Sequence, residues 1–289
     1  MSPEIKSRLE ELLNEKIRST KSVSGGCIAD SRKIELFSGK VFFLKQLRSN
    51  NSDIFSSEAY GLELLSESET VSVPKVIYKN SDYLLLDWIE VGSQGHHSSM
   101  ERLGYEFARL HKFRGEKFGL EIDNYLGKTP QLNTPTKKGS SHWSTFFIEN
   151  RILFQVELAK KNGFSNPEFL SLIDNLINKI PDILDGTKED PSLLHGDLWS
   201  GNYLIDVSGT PWLIDPAVYF GHREADLAMT SLFGGFNNTF YSAYNLEFPI
   251  LPEYSDREPI YHLYHLINHL NLFGSSYYGQ IISILKRYL

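Results

Sequence analysis

Ile5, Leu9, Leu12 and Ile17 recur at helical spacing behind Ser2-Pro3, a cap and first-turn pair, so the chain is predicted to open with a helix. The next stretch, KSVSGGCIADSRKIELFSGKVFFLKQL, breaks into β-forming runs at Gly25-Gly26 and Ser38-Gly39 and predicts three antiparallel strands, the last being Val41-Phe42-Phe43-Leu44-Lys45. A helix follows over about Phe55 to Leu65, with Glu58, Leu62 and Leu65 on one face, so the glutamate is expected to point inward with the apolar residues. Val76-Ile77-Tyr78 and Tyr83 to Ile89 read as two more strands completing a small sheet.

Beyond Val91 the pattern changes. Gly92 to Ser99 is a polar loop, and Leu103, Phe107, Leu110 and His111 mark an amphipathic helix. Gly127 to Ser141, rich in Thr, Pro, Lys, Ser and Gly, reads as a loop, and Trp143 to Lys161 as another helix. The expected architecture is α+β in two lobes: a small β-rich lobe over residues 1–90 and a larger, mainly helical lobe over residues 91–289. No internal repeat or low-complexity tract interrupts it.

Composition narrows the function classes. With 41% hydrophobic residues in 289 the chain can bury substantial cores. A formal net charge of -7 gives no broad basic field, which argues against nucleic acid as a partner. No run reaches the roughly 18 apolar residues of a membrane span, and the charged amphipathic N-terminus is unlike a signal peptide, so a soluble protein of the cytoplasm is expected. A single cysteine, Cys27, can form no internal disulfide.

The densest chemistry lies in LLHGDLWSGNYLIDVSGTPWLIDPA, residues 193–217. Asp197 falls on a loop with Asn202 five positions later. A hairpin (Tyr203 to Asp206, a turn at Ser208-Gly209, Trp212 to Ile214) then returns the chain to Asp215. Three polar groups thus converge at one hairpin end. This spacing suits phosphoryl transfer: Asp197 as the base that orients a hydroxyl nucleophile, and Asn202 and Asp215 as oxygen ligands of Mg2+ against the phosphates of ATP. Asp, Asn and Gly are also ordinary turn formers, but here the full pattern lies between apolar strands and has partners upstream. Lys45 ends an apolar strand, where a lysine is costly unless it meets anions, and Glu58 can supply one. Such a pair aims an ammonium at nucleotide phosphates. Gly25 and Gly26 could let backbone N–H groups approach phosphate, and Asp87, Trp88 and Ile89, entering the second lobe, would pair with adenine.

HGDLWSGN, followed by DPAVYFGHREADLAMTSLFGGF at residues 215–236, resembles the fructosamine kinase, or ketosamine-3-kinase, family. The resemblance runs through SGGCI, FFLK, SSEAYGLELL, FARLH, FGLEIDNYLGKTPQLN, WSTFFIENRILFQVEL and LYHLINHLNLFGSSYYGQ, nearly the whole chain. Choline kinases and aminoglycoside phosphotransferases share only the HGD, Asn and Asp plan. The resemblance implies a protein-kinase-like fold and ATP-dependent phosphorylation of the C3 hydroxyl of a ketosamine, small or protein-bound, whose unstable product releases its amine. That amounts to deglycation. It implies Asp197 as proton acceptor, Asn202 and Asp215 as metal ligands, Lys45 and Glu58 as the phosphate-binding pair, and residues 87–89 at adenine. Asp226 is implied to brace the catalytic loop through backbone hydrogen bonds, with His195 structural. Two departures stand out: Ala29-Asp30 replaces an asparagine often found after the glycine turn, and DPA replaces the DFG of protein kinases with no long activation segment after it.

Other features have simpler readings. His262, His265 and His269 share a helical face with a ligand-like spacing, but without further ligands in reach they read as a packing face rather than zinc ligands. Cys27 reads as an inert thiol, with redox sensitivity as the alternative. Trp199, beside the catalytic loop, is a candidate to stack on substrate and Trp143 a weaker one, while Arg114, Lys137 and Lys138 read as solvated charges. A kinase of another small alcohol and a nucleotide-binding scaffold remain as competing functions, the latter requiring loss of Lys45, Asp197, Asn202 or Asp215, all of which are present.

Overall fold

The computed structural model describes residues 1–23, 29–47, 53–92 and 97–289. Gly25, Gly26 and Cys27 lie outside these residues. Helix α1 (Pro3–Leu12) starts as expected, with Ser2 Oγ accepting from Ile5 N at 3.3 Å. It ends before Ile17. Asn14 takes a left-handed conformation (φ 51°), which asparagine tolerates, and Ile17 opens the first strand instead, paired with Leu36.

That strand, β1 (Ile17–Ser22), and β2 (Ala29–Leu36), β3 (Val41–Leu47), β4 (Val76–Lys79) and β5 (Tyr83–Asp87) form a five-stranded antiparallel sheet in the order β1-β2-β3-β5-β4. Strand parity builds a core on each face. Leu44, Tyr83 and Leu85 pack toward Leu9 of α1, while Leu84 and Leu86 pack with Phe55, Ala59 and Leu62 of helix α2 (Ile54–Glu67). Lys45, adjacent to Leu44 and opposite Leu84 in the register, therefore faces α2. Strand β5 stops at Asp87, short of the Ile89 expected, and residues 88–92 lead into the second lobe. There the chain pairs with a hairpin of that lobe: Gly92 N donates to Ile205 O at 2.9 Å and Val207 N to Glu90 O at 3.1 Å.

The second lobe is mainly helical. Helix α3 (His97–Leu110) includes the last residues of the expected polar loop. A short hairpin, β6 (Asn124–Leu126) and β7 (Thr129–Gln131), occupies part of the stretch read as loop. Its buried Gln131 donates to Asn124 Oδ1 and to Ala217 O, which makes the pairing tertiary rather than local. The helix expected over Trp143–Lys161 is present in three pieces: α4 (Trp143–Phe147), a wide π turn (Ile148–Leu153) and α5 (Phe154–Lys161). The π turn carries the fully buried Arg151, whose guanidinium donates to Leu132 O and Asn133 Oδ1 and lies 4.0 Å from the Tyr219 ring centroid.

Helix α6 (Pro167–Leu184) is capped by Asn166 and leads to β8 (Ser192–Leu194). Strand β9 (Tyr203–Ile205) pairs with β10 (Pro211–Leu213), and β11 (Tyr219–Gly221) returns to pair with β8. Helices α7 (Glu224–Leu232), α8 (Asn238–Glu247), α9 (Tyr254–Phe273) and α10 (Tyr278–Lys286) complete the lobe around a large core that includes Phe107, Phe169, Phe240 and Leu270. A buried bidentate pair, Arg257 to Glu224 at 2.6 and 2.8 Å, ties α9 to α7. Arg114 is not simply solvated: it donates to Asp190 O and Ser192 Oγ at 2.6 and 2.7 Å. Among the described residues, no helix is long and apolar enough to cross a membrane.

Candidate active site

Two elements of the first lobe and one turn of the second meet at Lys45. Lys45 of β3 lies 2.6 Å from Glu58 of α2 and 2.6 Å from Asp215, which follows β10. Burial of the ammonium disfavours its charge, but the Asp215 and Glu58 carboxylates outweigh that and hold its pKa above the ordinary range. Burial raises the pKa of Glu58, as does the charge of Asp215, with Lys45 acting in the opposite direction. The lysine thus joins the lobes through a carboxylate from each.

Asp215 itself sits at φ 55°, a left-handed conformation that a non-glycine residue adopts at a cost of about 1–3 kcal/mol. The turn is held by its neighbours: Ile214 N donates to Asn202 O and Ala217 N to His195 O. Gly196, at φ 83°, passes so close to the Ala217 carbonyl oxygen that any Cβ there would overlap it.

The loop carrying Asp197 is fixed by Asp226 at the start of α7. One of its carboxylate oxygens accepts from His195 N at 2.6 Å and the other from Gly196 N at 2.8 Å. His111 Nε2 lies 3.3 Å from the first of these oxygens, and its Nδ1 meets Tyr244 Oη at 2.7 Å. The His195 ring is used on both sides, Nε2 donating to Ile214 O and Nδ1 accepting from Asp197 N, which requires the neutral form. Burial, which depresses the pKa of His195 and of His111, enforces that form. Asp226 and His195 thus hold the loop as the sequence implies, while the contributions of His111 and Tyr244 come from elements distant in sequence.

Asp197 is buried enough that its pKa is pushed well above the ordinary carboxylate value, with the charge of Asp215 adding to burial and a hydrogen bond from Asn202 opposing it. Asn202 Nδ2 donates to Asp197 O at 2.8 Å and to Asp197 Oδ2 at 3.2 Å. This orientation leaves the amide oxygen of Asn202 as its remaining ligating atom. Together with the Asp215 carboxylate it makes an all-oxygen donor pair of the kind Mg2+ takes, with the rest of the shell left to phosphate and water. Asp30, the acid that departs from the family pattern, pairs with Arg32 at 2.7 Å, which offsets its charge within β2.

Trp199 is 39% exposed beside the Asp197 loop, and its ring meets Phe233 edge-on at 6.4 Å. Trp143 is buried and donates to Tyr261 Oη, so it is unavailable for stacking. Trp88 lies between Phe43, the Lys33 ammonium 4.3 Å from its ring centroid, and Glu90, to which Nε1 donates. The histidines of α9 form no metal cluster among the described residues. His262 and His269 bond to the carbonyls of Ala228 and His265 respectively, as a packing face does. His265 is different: it points at Asp197, with Nδ1 3.9 Å from Oδ1. Helical spacing places all three on one face but gives no sign of this aim.

A small antiparallel-sheet lobe joined to a helical lobe by a buried lysine–carboxylate bridge defines a kinase-like phosphotransferase. The aminoglycoside phosphotransferase APH(2'')-IIa, solved with gentamicin, matches the fold at a TM-score of 0.64 with 15% identity, covering 100% of this chain and 94% of that one. A structure from Thermobifida fusca named as a fructosamine-3-kinase matches at a TM-score of 0.90 and 30% identity, covering 100% and 99%. The family model for fructosamine kinase matches residues 1–289. A protein of Synechocystis named as a ketoamine kinase is 39% identical over 280 residues, 95% of this chain and 91% of that one. The chloroplastic protein-ribulosamine 3-kinase of Arabidopsis thaliana is 37% identical over 275 residues, 93% and 82%. The chain belongs to the fructosamine kinase family.

Proposed function

We propose that this protein transfers the γ-phosphoryl group of ATP to the C3 hydroxyl of a ketosamine, so that the adduct becomes labile and the amine is released. The observation that carries the reading is the convergence of Lys45, Asp215, Asn202 and Asp197 at one point between the lobes, in a chain of this family. Asp197 accepts a hydrogen bond from the acceptor hydroxyl and takes its proton as the oxygen bonds to phosphorus and ADP departs. Lys45, held by Glu58, stabilises charge on the nucleotide phosphates, and the segment from Asp87 at the strand end through Trp88 and Ile89 receives adenine. When bound by Asp215 and Asn202, Mg2+ would neutralise phosphate charge. In this reading Trp199 covers the sugar or its amine, and residues 1–90 and 91–289 act as nucleotide-binding and substrate-binding lobes. We place the activity in the cytoplasm.

A choline or aminoglycoside kinase is the second reading, since those enzymes share the fold. The test is magnesium-dependent ADP formation by purified protein with ribulosyl-lysine, fructosyl-lysine, choline and kanamycin. Turnover confined to the two ketosamines is expected. Turnover on choline or kanamycin alone would replace the proposal with the second reading.

A further inference from the structure

Among the described residues five buried side-chain polar atoms have no hydrogen-bond partner, and one of them, on His265, faces Asp197. His265, in the middle of α9, is 5% exposed, its ring meets Tyr264 edge-on at 5.0 Å, and its Nδ1 makes no hydrogen bond. Buried side-chain nitrogens are nearly always bonded, so an orphan facing a reacting group points to a bond formed in another state of the site. The atom opposite it is Asp197 Oδ1, at 3.9 Å, about 1 Å beyond hydrogen-bond reach. The other carboxylate oxygen, Oδ2, is already held by Asn202 Nδ2 at 3.2 Å. Asp197 is therefore pinned on one side only.

We propose that His265 is a positioning residue for the catalytic base: as the neutral Nδ1–H tautomer it closes onto Asp197 Oδ1 when ATP and acceptor are bound. With Asn202 on the other oxygen, the carboxylate plane is then fixed and the remaining Oδ1 lone pair is aimed at the acceptor hydroxyl. A neutral donor suits this task, because it orients the carboxylate without an added cation that would weaken it as a base. Burial, with His269, His262 and Arg151 nearby, keeps the imidazole uncharged. Catalysis is sensitive to such placement, since a displacement of about 1 Å can cost on the order of 10²-fold in rate.

The inference rests on Asp197 being the base, and the experiment separates the two claims. His265→Asn, His265→Gln and His265→Leu are compared with wild type, each also on the Asp197→Asn background, by kcat and KM with ribulosyl-lysine and by melting temperature. Asparagine places an amide N–H near the Nδ1 position; glutamine carries it one carbon further. His265→Asn is expected to stay within about three-fold of wild-type kcat. His265→Gln and His265→Leu should fall by about 10- to 100-fold with the KM for ATP little changed. On the Asp197→Asn background the same substitutions should cost almost nothing, because the group they act through is gone. Should leucine prevent folding, the Asn and Gln contrast decides alone. Wild-type kcat in His265→Gln, equal losses in the Asn and Gln variants, or an undiminished loss on the Asp197→Asn background would each overturn the role of His265. Wild-type kcat in Asp197→Asn itself would instead overturn the assignment of the base.

Discussion

At Asp197 the fold works against the ordinary acidity of a carboxyl group. Burial and the nearby charge of Asp215 push its pKa up, and that brings a carboxylate closer to the basicity that proton transfer from a hydroxyl needs. Asp197→Asn keeps the shape of the side chain and its contact with Asn202 but cannot accept the proton. Its kcat should fall by about 10²- to 10⁴-fold while the KM for ATP stays nearly constant, as steady-state kinetics would reveal. A fall in ATP affinity with kcat unchanged would move Asp197 from base to nucleotide-binding residue. The local spacing from Asp197 through Asn202 to Asp215 made this cluster legible in the sequence, because a short loop and a hairpin bring the three close along the chain. The pairing of Lys45 with Glu58 was legible for a different reason: strand parity and helix face each put one charged group among apolar neighbours. His265 was hidden, because the carboxylate it faces lies on another element and helix periodicity cannot say which side chain stands across the interface.

Among elements, the least replaceable support is the contact between α7 and the loop after β8. Two backbone N–H groups of that loop end on one buried carboxylate, Asp226, which is 1% exposed. Asp226→Asn turns one acceptor into a donor and leaves a buried N–H unpaired. That should destabilise the protein by about 1–3 kcal/mol in denaturant unfolding and also reduce kcat, since Asp197 is next to the loosened peptide. Unchanged stability and unchanged kcat would mean the loop is held mainly by its glycine geometry and by His195. Element type and order were largely readable, yet three details were not. Asn14 ends the first helix through a left-handed residue that periodicity does not register. The β6–β7 hairpin depends on Gln131 bonding to Ala217 far along the chain. The π turn at Ile148–Leu153 accommodates Arg151 against Tyr219 and Tyr264, again a tertiary demand.

Over the whole molecule, burial leaves a mark on pH dependence. His111, His195, His222, His262, His265 and His269 all have pKa values depressed below 6.5, with burial as the largest cause. As pH falls through 6.5 the unfolded chain takes up protons on these residues ahead of the folded chain, so stability declines. Glu58, Glu106 and Asp197, whose pKa values are raised, act in the opposite sense, because the folded chain keeps protons that the unfolded chain has released. With six imidazoles against three carboxyls, the melting temperature should drop between pH 7 and pH 5.5. A flat or rising profile would mean that some of these imidazoles accept a proton within the fold. The two-lobed architecture was legible from the change in pattern near Val91, because a β-rich and a helical segment differ in periodicity along their whole lengths. How the lobes meet was not, since the Lys45 to Asp215 contact spans 170 positions.

The most direct test of the central claim is where the phosphate goes. Ribulosyl-lysine incubated with the protein, ATP and magnesium would be followed by phosphorus and proton NMR. A phosphorus resonance coupled to the single C3 proton is expected, decaying as free lysine appears. A phosphate coupled to two protons of a terminal carbinol, or a stable product that keeps its lysine, would contradict that claim.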